Sequence, residues 1–383
     1  MRIAFVITGG VDPSGRERVI PSLLSLIERV ARRHDVVVYA LRYFSEPRRY
    51  SLLGATIQDL GRPNGMRRQY SALLKAMRRD GPFDLVHAYW GLPSGLAGAL
   101  VARRLGCPSI VTLDSGEFAA IPAINYGLQL RWRQRLAITA TCRLATRLTV
   151  CSRYQQRLAL EHGVQADLIP LGVDTRLFIQ RPKGSDACLT PVRPPGAPWR
   201  LIHVASLNPV KDQSTLIEAM RRLLAGMPDV HLDIVGEDTL NGAIQALVRS
   251  AAIDQHVTFH GFQPTDVLVP LYQRAHLAVL SSRHEAAGVV VLEAAACGVP
   301  MVGTRVGHVA DWAPGAAVAV PPGDSAALAD AIAATLAEPE LRDRLAVRAR
   351  AWTIEHDADW TAREFDTLYQ NVTQGARHGD QAG

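Results

Sequence analysis

Lysine is almost missing from this chain of 383 residues. Of its 42 basic residues, only Lys75, Lys183 and Lys211 are lysine. We attribute the excess of arginine to genomic composition bias rather than to a requirement for guanidinium groups throughout the chain. A lone lysine is ordinarily a solvated loop residue. In so lysine-poor a chain, however, a lysine directly after a strand is a candidate for phosphate contact.

Cysteines are few and lack the spacing of a structural cross-link. The five are Cys107, Cys142, Cys151, Cys188 and Cys297. An odd number without a Cys-x-x-Cys pair indicates neither a disulfide framework nor a zinc site. We therefore expect a reducing, cytoplasmic environment.

Long apolar runs are also missing. No stretch reaches the roughly 18 uncharged apolar residues of a membrane-spanning helix, so none is expected. The apolar core of Met1–Gly10 is too short for a signal peptide and predicts a first strand instead. No Gly-Lys-Ser/Thr triplet occurs, which excludes a Walker phosphate loop. Nucleic acid is not expected as a partner, because a recognition motif is lacking and the arginines are scattered over many segments.

Charge is divided unevenly along the chain. Residues 1–178 hold 25 Arg and Lys against 13 Asp and Glu, a net charge of +12. The remaining residues hold 17 against 23, a net charge of −6. The basic first half indicates an anionic partner.

Two basic segments of the first half carry apolar residues among their cations. The first has Arg67, Arg68, Lys75, Arg78 and Arg79 around Met66, Leu73, Leu74 and Met77. The second has Trp132 within Arg131–Arg135. Basic amphipathic helices can lie on anionic lipid, which would place the protein on the inner face of the plasma membrane. A solvated face above an apolar core stripe has the same pattern, and the residues leave both alternatives open.

Strand-like and helix-like segments alternate in two blocks. The first block has strands at the N-terminus, Val36–Leu41, Phe83–Ala88 and Ser109–Leu113, and the second at Arg200–Ala205, His231–Val235, Val257–Phe259 and Leu277–Leu280. This alternation predicts an α/β protein with two doubly wound parallel-sheet, Rossmann-like domains facing across a cleft. The predicted boundaries are a first domain at 1–178, a Pro-rich linker at 179–198, a second domain at 199–356, a last helix at about 357–372 that packs back on the first domain, and a disordered tail at 373–383.

A Gly-rich turn, Gly9–Gly15, follows the first strand. It predicts a helix that begins at about Arg16, with Ser14 and Glu17 as a capping box. Pro21 should bend this helix or mark its true start.

Two carboxylates, Glu285 and Glu293, lie eight residues apart around Gly288. The apolar run Leu277–Leu280 predicts a buried strand, and Val289–Ala296 has the length of a helix that ends at a glycine and a proline. Glu285 therefore lies in the strand-to-helix loop and Glu293 about one turn inside the helix.

The start of this predicted helix is suited to an anion. The backbone N–H groups of Gly288, Val289 and Val290 would be free of intrahelical partners, and Gly288 has no Cβ to keep a ligand away. An anion cradle with a carboxylate at each end matches the shape of a nucleotide sugar. Two surface glutamates that flank an ordinary βα loop would have the same spacing, so context must decide.

Several motifs in order give that context. These are Glu285-x7-Glu293 with Gly288, the loop Val204–Asp212 that contains Lys211, the segment Ile169–Asp174 followed by Phe178, and Val257–Phe262. Together they resemble family 4 retaining glycosyltransferases of the GT-B fold, also called group 1 glycosyltransferases. The resemblance covers nearly the whole chain.

The resemblance implies a role for each matching position. Glu293 would hold the ribose hydroxyls, Glu285 the hydroxyls of the donor sugar, the amides of Gly288–Val290 the distal phosphate, and Lys211 the diphosphate charge. Gly15 would let the first domain approach that phosphate. Gly236, Ser206 and Phe262 would complete the donor contacts. Glu285 and Asp114 would be the catalytic candidates.

Two positions depart from the family pattern. Ser206 stands where the family often has an arginine ahead of the lysine. Asp114 ends a strand where the family often has a histidine that faces the sugar. Asp114 could bond a donor or acceptor hydroxyl, or could cap the following helix. His87, at the end of another strand, could touch the acceptor but more often is a packing residue.

The resemblance implies transfer of a hexosyl group from a nucleotide sugar, with retained configuration, to a glycan or lipid-linked acceptor. Synthesis of cell-surface polysaccharide or glycolipid is the expected setting. Such enzymes usually need no metal or other cofactor. A GT-B-type nucleotide-sugar epimerase, or a nucleotide-sugar-binding protein without turnover, are the alternatives.

Overall fold

The structure is a computed structural model that describes residues 1–180, 191 and 193–379. Most of the linker predicted at 179–198 lies outside the described residues, as do Lys183 and Cys188. The chain divides into two compact units. Unit 1 is residues 1–171 together with the helix that begins at Ala358, and unit 2 is Gly172–Asp357.

Unit 1 is built on an eight-stranded sheet with strand order β3-β4-β2-β1-β5-β6-β7-β8. Its strands are β1 Arg2–Ile7, β2 Asp35–Ala40, β3 Arg48–Leu52, β4 Ala55–Asp59, β5 Leu85–Tyr89, β6 Ser109–Leu113, β7 Arg147–Val150 and β8 Asp167–Leu168. The helices are α1 Pro21–Ala31, α2 Met66–Asp80, α3 Leu96–Leu105, α4 Trp132–Leu144 and α5 Arg153–Glu161. Neighbouring strands are parallel except at the edge, where β3 and β4 form an antiparallel hairpin.

Unit 2 has a six-stranded parallel sheet with strand order β11-β10-β9-β12-β13-β14. Its strands are β9 Trp199–Val204, β10 Val230–Val235, β11 Val257–Gly261, β12 Leu277–Leu280, β13 Met301–Thr304 and β14 Val318–Val320. The helices are α6 Gln213–Gly226, α7 Ala243–Ser250, α8 Thr265–Arg274, α9 Val289–Ala296, α10 Gly307–Trp312, α11 Ser325–Ala337 and α12 Pro339–Glu355.

The last helix, α13 (Ala358–Gly379), returns to unit 1 and packs against α1. The prediction of a disordered tail from Thr373 is wrong for residues 373–379, because α13 extends to Gly379. Val372 and Thr373 are each only 8% exposed, and the Thr373 hydroxyl donates to the Tyr369 carbonyl at 2.8 Å. The predicted domain boundary at Phe178 also differs from the structure, because the ring of Phe178 packs on Tyr272 of unit 2.

Both sheets are covered on two faces, since their central strands are apolar without alternation. In β1, Ile3–Ile7 are all completely buried, as expected for a parallel strand between two helical layers. Strand order reverses between β1 and β5 in unit 1 and between β9 and β12 in unit 2. In doubly wound sheets, ligands bind at the carboxyl ends of the strands that flank such a reversal.

The predicted helix at Arg16 begins later, at Pro21. Ser14 does accept hydrogen bonds from the amides of Arg16 and Glu17, at 3.3 and 3.1 Å, but within a turn that ends before α1. The proline marks the true start because its missing N–H and fixed φ suit the first helical position. None of the described helices combines the length and apolarity that a membrane crossing needs.

Candidate functional site

Lys211 and Glu285 meet at the carboxyl end of the unit 2 sheet. Lys211 follows β9 and Glu285 follows β12, and these two strands are neighbours in the sheet. The lysine Nζ lies 2.6 Å from Glu285 Oε1, which also accepts the Ser282 hydroxyl at 2.6 Å. The side chains are 23% and 10% exposed, so the ion pair is largely withdrawn from water. Such shielding strengthens it relative to a surface pair.

The backbones of these two loops are fastened together. The amide of Arg283 donates to the Val210 carbonyl at 2.8 Å, and the Ser281 hydroxyl donates to the Lys211 carbonyl at 2.8 Å. These bonds fix the position of Lys211 relative to the loop that carries Glu285. The ion pair is therefore part of a rigid edge rather than a contact between two mobile side chains.

Helix α9 begins directly after this edge. Gly288 has φ +77°, the left-handed region that favours glycine, and Val289 is the first helical residue. A Cβ on Gly288 would lie 3.5 Å from the Cγ of Glu285. The amides of Gly288, Val289 and Val290 belong to the turn whose N–H groups have no intrahelical acceptor, so this helix start could hold an anion. All three residues are half-buried.

Glu293 lies inside α9 and is only 7% exposed. The Tyr272 hydroxyl donates to its Oε2 at 3.1 Å. Burial raises the pKa of Glu293 to about 7, and the tyrosine bond partly opposes that rise. A buried carboxyl with one protein donor retains acceptor capacity for the hydroxyl groups of a ligand.

Three other predicted donor residues lie at the same end of unit 2. Gly236 follows β10 with φ +149°, and a Cβ there would lie 2.0 Å from the Ala205 carbonyl oxygen. Ser206 is exposed after β9, and Phe262 is 50% exposed after β11. The close approach at Gly236 excludes any side chain, which is a structural reason for this glycine.

Gly15 lies in unit 1, in a turn that is tied down by Asp12. The Gly15 amide donates to the Asp12 carbonyl at 2.9 Å, and φ of Gly15 is +65°. The Asp12 carboxylate accepts from the Ser14 amide, Arg18 and the Tyr43 hydroxyl, at 3.0, 2.8 and 2.9 Å. A Cβ on Gly15 would meet only Leu52, at 3.5 Å, so packing alone does not require this glycine.

A cavity of about 570 Å³ opens at the carboxyl ends of β1, β5 and β6 in unit 1. Its walls include Trp90, Glu117, Tyr126 and Arg131. Trp90 has φ +65°, a strained value for a bulky residue, and strain of this kind is typical of functional sites. Aromatic and polar groups around a cavity of this size are characteristic of a small-ligand site.

Glu117, rather than Asp114, faces this cavity. Its carboxylate is completely buried and accepts the amides of Gly91 and Ser115 at 2.9 and 2.8 Å. Burial raises the pKa of Glu117, and the amide bonds oppose that rise. Sequence reasoning missed this role, because only the position directly after β6 was weighed and Glu117 lies three residues further along.

Asp114 is half-buried at the end of β6, beside Cys151. Burial, and next the Asp114 carboxylate, raises the pKa of the Cys151 thiol well above its usual value. His87 is a packing residue, as the commoner alternative had it. It is completely buried between the Tyr369 hydroxyl at 2.7 Å and the Thr112 hydroxyl at 2.8 Å, and burial lowers its pKa to about 3.

Comparison with known proteins identifies the family. The family model "Glycosyl transferase 4-like domain" matches residues 19–172, and "Glycosyl transferases group 1" matches residues 191–352. The N-acetyl-alpha-D-glucosaminyl L-malate synthase of Bacillus anthracis is 30% identical over 77% of this chain and 77% of its own length. The chain belongs to the group 1 glycosyltransferases.

Other relatives of this glycosyltransferase differ in how much of their length aligns. A GDP-mannose-dependent alpha-(1-6)-phosphatidylinositol monomannoside mannosyltransferase of Mycolicibacterium smegmatis is 26% identical over 97% of this chain and 98% of its own. A D-inositol 3-phosphate glycosyltransferase of Segniliparus rotundus is 27% identical over 58% of this chain. That alignment spans 51% of the Segniliparus protein, about half its length.

Solved structures show the fold of this glycosyltransferase. Sucrose-phosphate synthase from Thermosynechococcus elongatus superposes with a TM-score of 0.79 at 22% identity, covering 98% of this chain and 99% of the other. Anabaena HepE in complex with UDP-glucose superposes with a TM-score of 0.75 at 17% identity, covering 97% and 100%. The prediction of two parallel-sheet α/β domains of GT-B type is confirmed.

Proposed function

We propose that this glycosyltransferase moves a hexosyl group from a nucleotide-sugar donor to a glycan or lipid-linked acceptor, with retention of the anomeric configuration. The observation that carries the proposal is the edge of unit 2, where the Lys211–Glu285 pair stands next to the start of α9. A cation, a helix N-terminus and a buried carboxyl then follow one another along one sheet edge. The cation and the helix N-terminus suit phosphate groups, and the carboxyl suits the hydroxyls of a sugar or a ribose.

The donor's diphosphate would contact the amides of Gly288–Val290 and the ammonium of Lys211. The helix start contributes about half a positive charge, and the lysine contributes a full one. Ser206 adds no charge, so Lys211 carries the neutralisation that two cations share in much of the family. Because positive charge is supplied by the protein, we propose that turnover requires no metal ion; undiminished activity in excess chelator would support this.

Glu293 would accept the ribose hydroxyls, and Glu285 the hydroxyls of the sugar. Glu293 is deeper in α9, beyond the phosphate-binding amides, whereas Glu285 precedes them. The order along the chain therefore matches the order of groups in a nucleotide sugar. Glu285 Oε1 is also the partner of Lys211. The sugar and the diphosphate would therefore contact the two members of one ion pair.

Retention follows from attack on the face that the leaving group vacates. The bond from the anomeric carbon to the diphosphate oxygen breaks, and a bond from that carbon to the acceptor oxygen forms on the same face. The acceptor's proton passes to the leaving diphosphate oxygen. Lys211 and the α9 amides stabilise the negative charge that develops there.

The acceptor would enter the unit 1 cavity, whose volume of about 570 Å³ suits a sugar-sized group. Trp90 and Tyr126 offer rings for stacking, and Arg131 offers a polar contact, while the buried Glu117 holds the surrounding loops in place through the Gly91 and Ser115 amides. Relatives are named for malate, inositol 3-phosphate and phosphatidylinositol monomannoside acceptors. Those names support a hydroxyl acceptor that is polar or lipid-linked, and we propose a setting in cell-surface polysaccharide or glycolipid synthesis.

The experiment has two stages. Thermal shift with UDP, GDP and ADP sugars identifies the donor, and nucleoside diphosphate release is then followed across a panel of glycan and lipid-linked acceptors. Retention predicts that the anomeric coupling constants of donor and product report the same configuration. An isomerised donor formed without acceptor would indicate an epimerase, and binding without release across the panel would indicate a protein that only binds the nucleotide sugar.

A further inference from the structure

The structure distinguishes the two basic segments that have the same amphipathic pattern in sequence. In α2, Leu73 and Met77 are completely buried and Leu74 is half-buried, so the apolar stripe of this helix belongs to the core except at its first residue, Met66, which is 42% exposed. Arg79 at the end of α2 is paired with Asp80 at 2.9 Å. Helix α2 therefore has the ordinary solvated face of a packed helix.

Helix α4 has the opposite arrangement. Its large apolar residues Trp132 and Leu136 are 65% and 61% exposed, whereas Ile138 and Thr141 face the core. Trp132, Leu136 and Arg143 are spaced so that they share one side of the helix. We call the exposed side chains of this helix the α4 face: Trp132, Arg133, Arg135, Leu136 and Arg143.

Exposed apolar residues of this size, adjacent on one helix, are unusual on a surface without a partner. The guanidinium of Arg133 lies 5.3 Å from the centre of the Trp132 ring, so cation and indole form one amphipathic unit. Tryptophan and arginine in this combination suit the boundary between lipid headgroups and acyl chains.

The charge along the sequence that contains α4 has a single sign, although one of its arginines, Arg147, is paired with Asp167. Residues 118–160 contain seven arginines and neither aspartate nor glutamate. Four of the seven, Arg131, Arg133, Arg135 and Arg143, are exposed on or beside α4. A cationic segment with protruding apolar side chains is complementary to an anionic bilayer, where each cation near the surface strengthens attachment about fivefold.

We propose that the α4 face docks this protein on the surface of an anionic lipid bilayer, with Trp132 and Leu136 inserted at the headgroup level. The arginines of the face contact lipid phosphates. The proposal does not depend on sugar transfer.

One consequence does rest on the proposed function. Arg131 and Gln134, at the start of the same helix, line the unit 1 cavity. Docking through α4 brings the mouth of that cavity close to the headgroups. A lipid-linked acceptor could then enter without leaving the membrane, which favours this acceptor class over a soluble glycan.

Co-sedimentation with vesicles tests the docking directly. The full chain is mixed at low ionic strength with vesicles of phosphatidylcholine containing about one third phosphatidylglycerol, and separately with pure phosphatidylcholine. We expect retention by the anionic vesicles only. We also expect its loss at about 1 M salt, where the screening length falls to about 3 Å.

Two variants locate the contact. Arg133→Gln with Arg135→Gln should weaken binding about 30-fold, since two cations are removed at roughly fivefold each. Trp132→Ala with Leu136→Ala should weaken it about tenfold or more, because inserted apolar area is lost. Quenching of tryptophan fluorescence by brominated lipid should occur in the wild type and fall in the second variant.

Matched controls are available on other helices. Arg67→Gln with Arg68→Gln removes two exposed arginines from α2, and Val347→Ala with Ile354→Ala truncates two exposed apolar residues of α12. Both should bind vesicles like the wild type. A thermal unfolding curve like that of the wild type shows that a variant is folded. If the Trp132→Ala and Leu136→Ala variant does not fold, the Arg133→Gln and Arg135→Gln variant still tests the proposal.

Several results would overturn the proposal. These are a wild type that does not sediment with anionic vesicles, α4 variants that sediment as well as the wild type, or control variants that lose as much binding. A lipid-free wild type that is dimeric, with the Trp132→Ala and Leu136→Ala variant monomeric, would assign the face to a second copy of the chain. Vesicle binding without glycosyl transfer would leave the docking intact and count against the proposed function alone.

Discussion

The Nζ of Lys211 lies 2.6 Å from Oε1 of Glu285, across 74 residues of chain. The two residues follow neighbouring strands of one parallel sheet, so their loops leave the sheet side by side. The cation that would face a diphosphate is thus held by the carboxylate that would face the sugar. Binding of the two halves of a nucleotide sugar would be coupled through this pair.

Lys211→Ala should weaken binding of the nucleoside diphosphate by about 10- to 100-fold, because a charge-assisted contact is lost. Glu285→Gln should leave diphosphate binding nearly unchanged and lower kcat instead. Calorimetric titration and initial rates measure the two effects. Lys75→Ala, at an exposed position on α2, is the matched lysine control and should change neither. The assigned roles are wrong if Glu285→Gln loses nucleotide affinity and Lys211→Ala retains it.

Glu293→Gln should weaken nucleotide binding while it stabilises the fold at alkaline pH. Burial raises the pKa of the Glu293 carboxyl to about 7 from its ordinary value of 4.5. Between these values the native state binds a proton that the unfolded state lacks, so the free energy of unfolding of the wild type falls as pH rises. The loss is complete above pH 7 and amounts to about 3 kcal/mol at most.

Thermal unfolding of both proteins from pH 4.5 to pH 8 measures this effect. The Tm of Glu293→Gln should exceed that of the wild type at pH 8, and the difference should shrink toward pH 4.5. Subtraction of the two curves cancels the contribution of buried histidines such as His87. Glu355→Gln, at an exposed position of α12, should give a Tm difference that does not follow this window. A pH-independent gap for Glu293→Gln would contradict the raised pKa.

Gly288→Ala should weaken nucleotide binding much more than it destabilises the fold. The substitution costs about 1 kcal/mol of stability for left-handed backbone, and its Cβ would make only ordinary contact with Glu285, at 3.5 Å. Nucleotide affinity should nevertheless fall about tenfold or more, since the methyl group would stand before the phosphate-binding amides. Isothermal titration with the nucleoside diphosphate measures it.

Gly242→Ala is the matched control, because Gly242 also precedes a helix with a left-handed φ of +84° and has open space around its Cβ position. It should cost similar stability and leave nucleotide binding unchanged. Gly236→Ala should behave differently from both. Its Cβ would lie 2.0 Å from the Ala205 carbonyl oxygen, so a loss of about 3 kcal/mol or more in stability is expected. Equal losses of nucleotide affinity in Gly242→Ala and Gly288→Ala would contradict phosphate binding at the start of α9.

Glu117→Gln should raise the KM for acceptor about tenfold and leave the Kd for nucleoside diphosphate unchanged. Its two carboxylate oxygens accept the amides of Gly91 and Ser115, and a glutamine would turn an NH₂ group toward one of them. The loop that carries Trp90 into the cavity would then shift. Acceptor-dependent kinetics measure the change, with the exposed Glu161→Gln as control. A fall in nucleotide affinity instead would place Glu117 in a different role.

Local pattern was sufficient for the elements around the donor site. The predicted bounds Leu277–Leu280 and Val289–Ala296 are those of β12 and α9. Strand and helix were readable there because an apolar run, a glycine and a proline act within a few residues. The edge hairpin β3–β4 was not predicted, since its polar residues lack the alternation of a half-buried strand.

The sequence by itself determined the two-block α/β order, the spacing of Glu285 and Glu293, and the family. Only the tertiary structure decided which residues of similar type are buried and which are exposed. It buried Glu117 between amides 26 and 2 residues away, and it exposed Trp132 on α4 while it buried Leu73 on α2. The physical reason is that a helix or turn is closed by bonds between near neighbours in sequence. Burial, pKa and exposure depend instead on segments that the fold brings together from distant parts of the chain.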